Sequence, residues 1–145
     1  MRLKLEIEPR PSSTWGITLA NRLPYTEWKE ISDEVKLKAD YTCEICGSVN
    51  GVMHCHEVWK FDDRSKIQHL AGCLCLCVRC HDVKHFGRST QVYKHDYQEK
   101  LIEHWCRVNR ASRDEFKLHL ASIRSINIKR ADKHYIVKVG RRILT

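Results

Sequence analysis

Little in this sequence bends or loosens the chain. It holds 3 Pro and 6 Gly among 145 residues, too few for a long flexible linker. It has no run of about 18 apolar residues, so no membrane span is expected. The opening MRLKLEIEPRPSS alternates charge and lacks the apolar core of a secretion signal. Acidic residues are in deficit, with 18 Asp+Glu against 26 Lys+Arg and a formal net charge of +8. That balance favours a polyanionic partner such as nucleic acid. Without a secretion signal, 8 cysteines point to a reducing compartment, where Cys-x-x-Cys pairs hold metals rather than disulfides. A cytoplasmic protein is expected.

The length suits one domain with a modest core that a metal can supplement. Residues 3–8, LKLEIE, alternate as an edge strand does, and Pro9 and Pro11 end it. A helix is predicted from Glu27 to Ala39, capped by Thr26, with Trp28, Ile31, Val35 and Ala39 as its apolar stripe. VMHCHEVW reads as a strand, KFDDRSK as its turn, and Leu70 to Leu76 as a second strand. A short helix after Cys80 is expected to end near Gly87. Asp96 to Val108 form a further helix with Tyr97, Leu101, Trp105 and Val108 on one face. Ser112 and Glu115 make a capping box that opens a helix to about Arg124. HYIVKV, residues 134–139, reads as a C-terminal strand. Trp15, Trp28, Trp59 and Trp105 are expected in the core. Cys73, Cys75 and Cys106 are expected to pack as small apolar groups.

The strongest chemical signal is a pair of knuckles, Cys43-x-x-Cys46 and Cys77-x-x-Cys80. Four thiolates form a closed tetrahedral zinc site, which is structural because no coordination position stays open. No βαβ pattern surrounds either pair, which argues against a thioredoxin-like redox centre. His81 and His85 follow at i and i+4, a spacing that puts both on one helix face where they can share a metal. In the preceding strand, alternation points His54 and His56 one way and Cys55 and Glu57 the other. A bulge would bring neighbours into one site. A histidine held there, near a metal carried by the helix, can act as a general base.

The stretch CEICGSVNGVMHCHEVWKFDDRSKIQHLAGCLCLCVRCHDVKH, residues 43–85, resembles the HNH endonucleases, or ββα-metal nucleases. LCVRCHDVKH resembles the family's closing motif most closely. CHEVWKFDD followed by HLAGCLCLC resembles a subgroup of small bacterial and phage proteins. The resemblance implies an α+β fold: a ββα-metal core with a four-cysteine zinc knuckle pair, flanked by an N-terminal helix and by C-terminal helices plus a strand. It divides the chain into an extension at 1–42, a zinc-stabilised core at 43–87 and a helical extension with a basic strand at 88–145. It implies hydrolysis of DNA phosphodiester bonds to a 5′-phosphate and a 3′-hydroxyl. Cys43, Cys46, Cys77 and Cys80 match the structural zinc ligands, and His56 matches the general base. His81 and His85 match ligands of a catalytic divalent cation such as Mg, Mn, Ni or Zn.

Two positions depart from the family. Cys55 stands where an Asp or His usually binds the metal; either it joins the metal or it only packs, with Glu57 or His54 contributing instead. Gly72 stands where an Asn usually orients the base, so another group must set the tautomer of His56. These departures keep a second reading open, a non-catalytic zinc module that binds nucleic acid. A third is an interaction subunit with a protein partner in a larger machine. For DNA contacts, Arg79, Lys84 and Arg88 flank the metal helix, and Lys129, Arg130, Arg141 and Arg142 belong to a basic C-terminal arm.

Overall fold

A long antiparallel hairpin and the helix that follows it form the centre of the molecule. The computed structural model describes residues 2–145. Strand β1 spans Met53–Asp62 and β2 spans Ile67–Cys77. They pair from Met53↔Cys77 to Asp62↔Ile67, with a register shift between Val58 and Trp59. Val58 faces Gly72 and Trp59 faces Leu70, so Ala71 is the extra residue of a bulge. Helix α3, Val78–Lys84, leaves β2 directly. This is the ββα unit.

Around it, α1 covers Leu19–Arg22 and α2 covers Tyr25–Lys38. Further on come α4 at Phe86–Val92, α5 at His95–Asn109 and α6 at Arg113–Arg130. Strands β3, Ile136–Val139, and β4, Arg142–Leu144, extend the sheet in the order β1-β2-β3-β4. β3 joins β2 in parallel, with Ile67↔Ile136 and His69↔Lys138. The expected C-terminal strand is therefore present and continues into a second one. Helix α2 begins at Tyr25 with Pro24 as its N-cap rather than Thr26. The Ser112–Glu115 capping box is formed, and α6 runs on to Arg130. No helix among the described residues is long and apolar enough to cross a membrane.

Residues 3–8 differ from expectation. They form no strand, because side chains take the hydrogen bonds that a ladder would use. Asn109 Oδ1 accepts from the backbone of Lys4 and Leu5, and His119 Nε2 accepts from Ile7. Glu8 N donates to Lys84 O, and Arg10 N to Asn127 Oδ1. The alternation still has a purpose: Leu5 and Ile7 are buried in the main core with Trp105, Phe116 and Val83. Leu5→Ala should cost about 2–5 kcal/mol as a buried leucine truncation. Urea denaturation checks this, and an unchanged midpoint would mean that the segment is not docked.

The short helix after Cys80 breaks earlier than expected. His85 leaves helical geometry at φ −101° and ψ 39°, and α4 then carries Gly87 inside it rather than as a cap. The break lets Phe86 bury edge-on against Phe116, while Ser89 Oγ donates to Asp82 O. Of the four tryptophans, Trp105 is fully buried and Trp28 and Trp59 half-buried, but Trp15 is 64% exposed. Trp15 follows a short 3-10 turn, Ser12–Thr14, that leads to Gly16, and its indole N–H donates to Arg10 O.

Candidate metal centres and cleft

The first centre joins the two knuckles. Cys43, Cys46, Cys77 and Cys80 bring their sulfurs within 4.8 Å of one another. Cys46 Sγ lies 3.6 Å from Cys77 Sγ. Zinc–sulfur bonds of roughly 2.3 Å in a tetrahedron put sulfurs about 3.8 Å apart, so the spacing fits zinc. Local structure explains the convergence. Gly47, at φ +78°, turns the first knuckle, and its N–H donates to Cys43 O. Glu44 ties that knuckle to β2 by accepting from Cys75 N at 2.7 Å. Cys77 caps α3 by accepting from Cys80 N. Packed this closely, the thiols shift one another's ionisation. Hydrogen bonding with Cys77 and Cys80 holds the Cys43 thiol well below the usual range. Hydrogen bonding with Cys43 pushes Cys77 up to about 11, and Cys80 is pushed up for the same reason. A bound dication removes that conflict and allows four thiolates.

His104, which sequence reasoning passed over, completes this centre. It is buried on α5 with its Nε2 3.1 Å from Cys80 Sγ. Arg107 Nη2 donates to His104 Nδ1 at 2.9 Å. A guanidinium can only donate, so Nδ1 accepts and Nε2 carries the hydrogen that points at the sulfur. Burial, reinforced by Arg107, lowers the His104 pKa to about 4.

The second centre is a cluster of imidazoles where β1 meets α3. The ligand atoms of His56, His81 and His85 lie within 4.8 Å of one another. The His81 and His85 rings stand edge-on with centroids 4.8 Å apart, and the His56 ring is 5.0 Å from His85. His54 stacks on His81 at 4.9 Å, so the two strand histidines share a face as alternation requires. His56 is only 2% exposed, and its Nε2 lies 2.8 Å from Glu8 Oε1. Burial, then the nearby His56, lowers both His81 and His85 from the ordinary 6.5 to about 3. Both are therefore neutral at pH 7, the form that binds a cation. The donor set fits a divalent metal.

That shift has a consequence for stability. Between pH 6.5 and 3 the unfolded chain binds protons at these positions and the folded chain does not, so stability falls as pH falls through that window. The urea midpoint should drop steadily below about pH 6.5. The double variant His81→Ala/His85→Ala should show a flatter decline. An identical slope in both proteins would contradict this origin.

Cys55 stands apart from the convergent histidines. It is a free, half-buried thiol that lines the cleft beside them, and the neighbouring Cys73 and burial push its pKa up. Glu57 is engaged elsewhere: it accepts from Leu19 N at 2.7 Å and from Trp59 Nε1 at 3.0 Å, and burial raises its pKa. It fixes the start of α1 against the sheet.

The histidines open into a cleft of about 780 Å³, bordered also by Trp15, Arg88, Thr90, Arg124 and Asn127. Arg88 and Arg124 are exposed at its rim. Of the other basic residues, Lys84 reaches to 3.8 Å from Glu8 and is largely covered. Arg79 lies beside a different hollow, over the cysteine knuckles. Arg130 is held by Asp63 in two hydrogen bonds and covers the Phe61 ring. Arg142 approaches Glu27 at 3.4 Å. Lys129 and Arg141 are exposed. Glu8 and His104 come from outside the 43–85 motif, so no local spacing marked them, whereas Arg124 belongs to the basic C-terminal stretch expected to contact phosphates.

The arrangement is of the ββα-metal, HNH-like type: a β1-β2-α3 unit with a four-cysteine cluster and a histidine triad. No protein-family model matches the chain, and neither a curated protein nor a solved structure matches it.

Proposed function

We propose that the protein is a metal-dependent endonuclease or nickase that hydrolyses DNA phosphodiester bonds, a cytoplasmic member of the small bacterial and phage-type HNH group. The observation that carries this reading is the convergence of His56, His81 and His85 at one end of a basic-rimmed cleft. His81 and His85 hold a divalent cation, distinct from the zinc of the four cysteines. Bound there, such a cation supplies charge stabilisation at a phosphate oxygen and at the leaving oxygen. His56 takes a proton from water as the water oxygen forms its bond to phosphorus. The bond from phosphorus to the 3′ oxygen breaks, its electron pair stays on that oxygen, and solvent returns a proton. The products are a 5′-phosphate and a 3′-hydroxyl. Arg88 and Arg124 hold neighbouring phosphates, and Arg79, Lys129, Arg141 and Arg142 extend the basic surface.

His81→Ala in the zinc-loaded protein tests the reading. Nicking of supercoiled plasmid should be lost while zinc content stays at wild-type level. Undiminished nicking would reject His81 as a ligand.

A second reading has its own support. Cys55 is not among the groups whose ligand atoms converge with His81 and His85, and Gly72 offers no side chain to orient a base. Both favour a zinc module that binds nucleic acid, or serves as an interaction subunit for a protein partner, without cleaving. Salt-sensitive DNA binding with no cleavage under any cation would select it.

A further inference from the structure

His56 needs something to decide which of its two nitrogens carries the hydrogen. A base must present a lone pair to its proton donor, and a neutral imidazole has only one. Gly72 supplies no group for this. Among the described residues, Glu8 is the one hydrogen-bond partner of the His56 ring, at 2.8 Å from Nε2.

We infer that Glu8 is the positioning residue for His56, holding its imidazole in the Nε2–H tautomer so that Nδ1 is free to take the proton. The inference rests on the nuclease reading of the site for its consequence in turnover, though not for the tautomer itself. A carboxylate oxygen only accepts, so the ring nitrogen facing it must donate. The same contact places negative charge beside the imidazolium that forms when Nδ1 takes a proton.

Glu8 is built to stay in place. Its own N–H donates to Lys84 O at 3.0 Å, tying it to α3. Ile7 on one side is buried and donates to His119 Nε2, and Arg10 on the other donates to Asn127 Oδ1. Both partners are on α6. Lys84 Nζ lies 3.8 Å from the same Glu8 oxygen and opposes its charge. Glu8 is not one of the groups whose ligand atoms converge with His81 and His85. It borders the same cleft as the three histidines, so its effect on Mn²⁺ affinity separates positioning from ligation. A sequence separation of 48 between Glu8 and His56 puts the partner in the N-terminal segment, outside the stretch that resembles the family.

The test uses the full zinc-loaded chain with Glu8→Ala and the isosteric Glu8→Gln. Long-range proton–nitrogen NMR of the His56 ring reads the tautomer directly. Plasmid nicking, followed against DNA concentration, separates kcat from KM. Calorimetric titration with Mn²⁺ reads the cation site. Wild type should show the Nε2–H form. Glu8→Ala should lose that single tautomer and about 10–100-fold in kcat, with KM and Mn²⁺ affinity unchanged. Glu8→Gln, which can accept or donate, should give a mixture of tautomers and an intermediate kcat. An unchanged tautomer in both variants would overturn the proposal. So would a tenfold loss of Mn²⁺ affinity, which would make Glu8 a ligand. If wild type cleaves nothing but Glu8→Ala still loses the tautomer, the positioning stands and the nuclease reading falls.

Discussion

Replacing Cys80 by serine, or stripping zinc with a chelator, should abolish the cooperative melt of the ββα unit. Cys80 is fully buried, shares its cluster with three other thiols and is in contact with His104. The two knuckles bring the loop after α2 against the junction of β2 and α3. Zinc in such sites contributes about 10–16 kcal/mol of apparent binding free energy. A domain of this size has a net stability of roughly 5–15 kcal/mol. Loss of the metal is therefore comparable with the whole stability. Circular dichroism melts with zinc stoichiometry measured alongside would check this. A Cys80→Ser protein that melts like wild type and keeps a full zinc equivalent would show that the cluster is not a structural site.

His56→Ala should lower DNA cleavage by about 10²–10⁴-fold, the usual contribution of a positioned general base. Zinc content and DNA binding should persist, because His56 belongs to neither the cysteine cluster nor the rim of the cleft. The fold should survive with some loss of stability, since the buried ring leaves a cavity and Glu8 loses its partner. The expected signature is a fall in kcat at unchanged KM. A fall in KM-dependent binding alone would assign His56 to substrate contact instead.

Much of the central unit was legible because its information is local. Cys-x-x-Cys spacing marks metal ligands whatever the surrounding fold. The 2-residue period of HCHE puts His54 and His56 on one strand face, and the i, i+4 spacing in CHDVKH brings His81 and His85 together although His85 falls just past the end of α3. The Ser112–Glu115 capping box placed the start of α6 at the right residue. What escaped was long-range. LKLEIE has a strand pattern, but Asn109, His119 and the Lys84 carbonyl occupy its backbone groups, and nothing local reveals that competition. The break at His85 depends on Phe86 finding Phe116, which lies far along the chain on α6. Glu8 and His104 reach the two centres only through tertiary packing. Arg130 looked like a free cation in the sequence, and only the fold brings Asp63 to it.

The central claim is that the histidine centre holds a working cation apart from the structural zinc. Titrating Mg²⁺, Mn²⁺, Ni²⁺ and Zn²⁺ into zinc-loaded protein with supercoiled plasmid tests it most directly. The account predicts cation-dependent nicking by wild type, ending in 5′-phosphates, and none above background by His56→Ala. No cleavage by wild type under any of the four cations, or equal cleavage by His56→Ala, would contradict it.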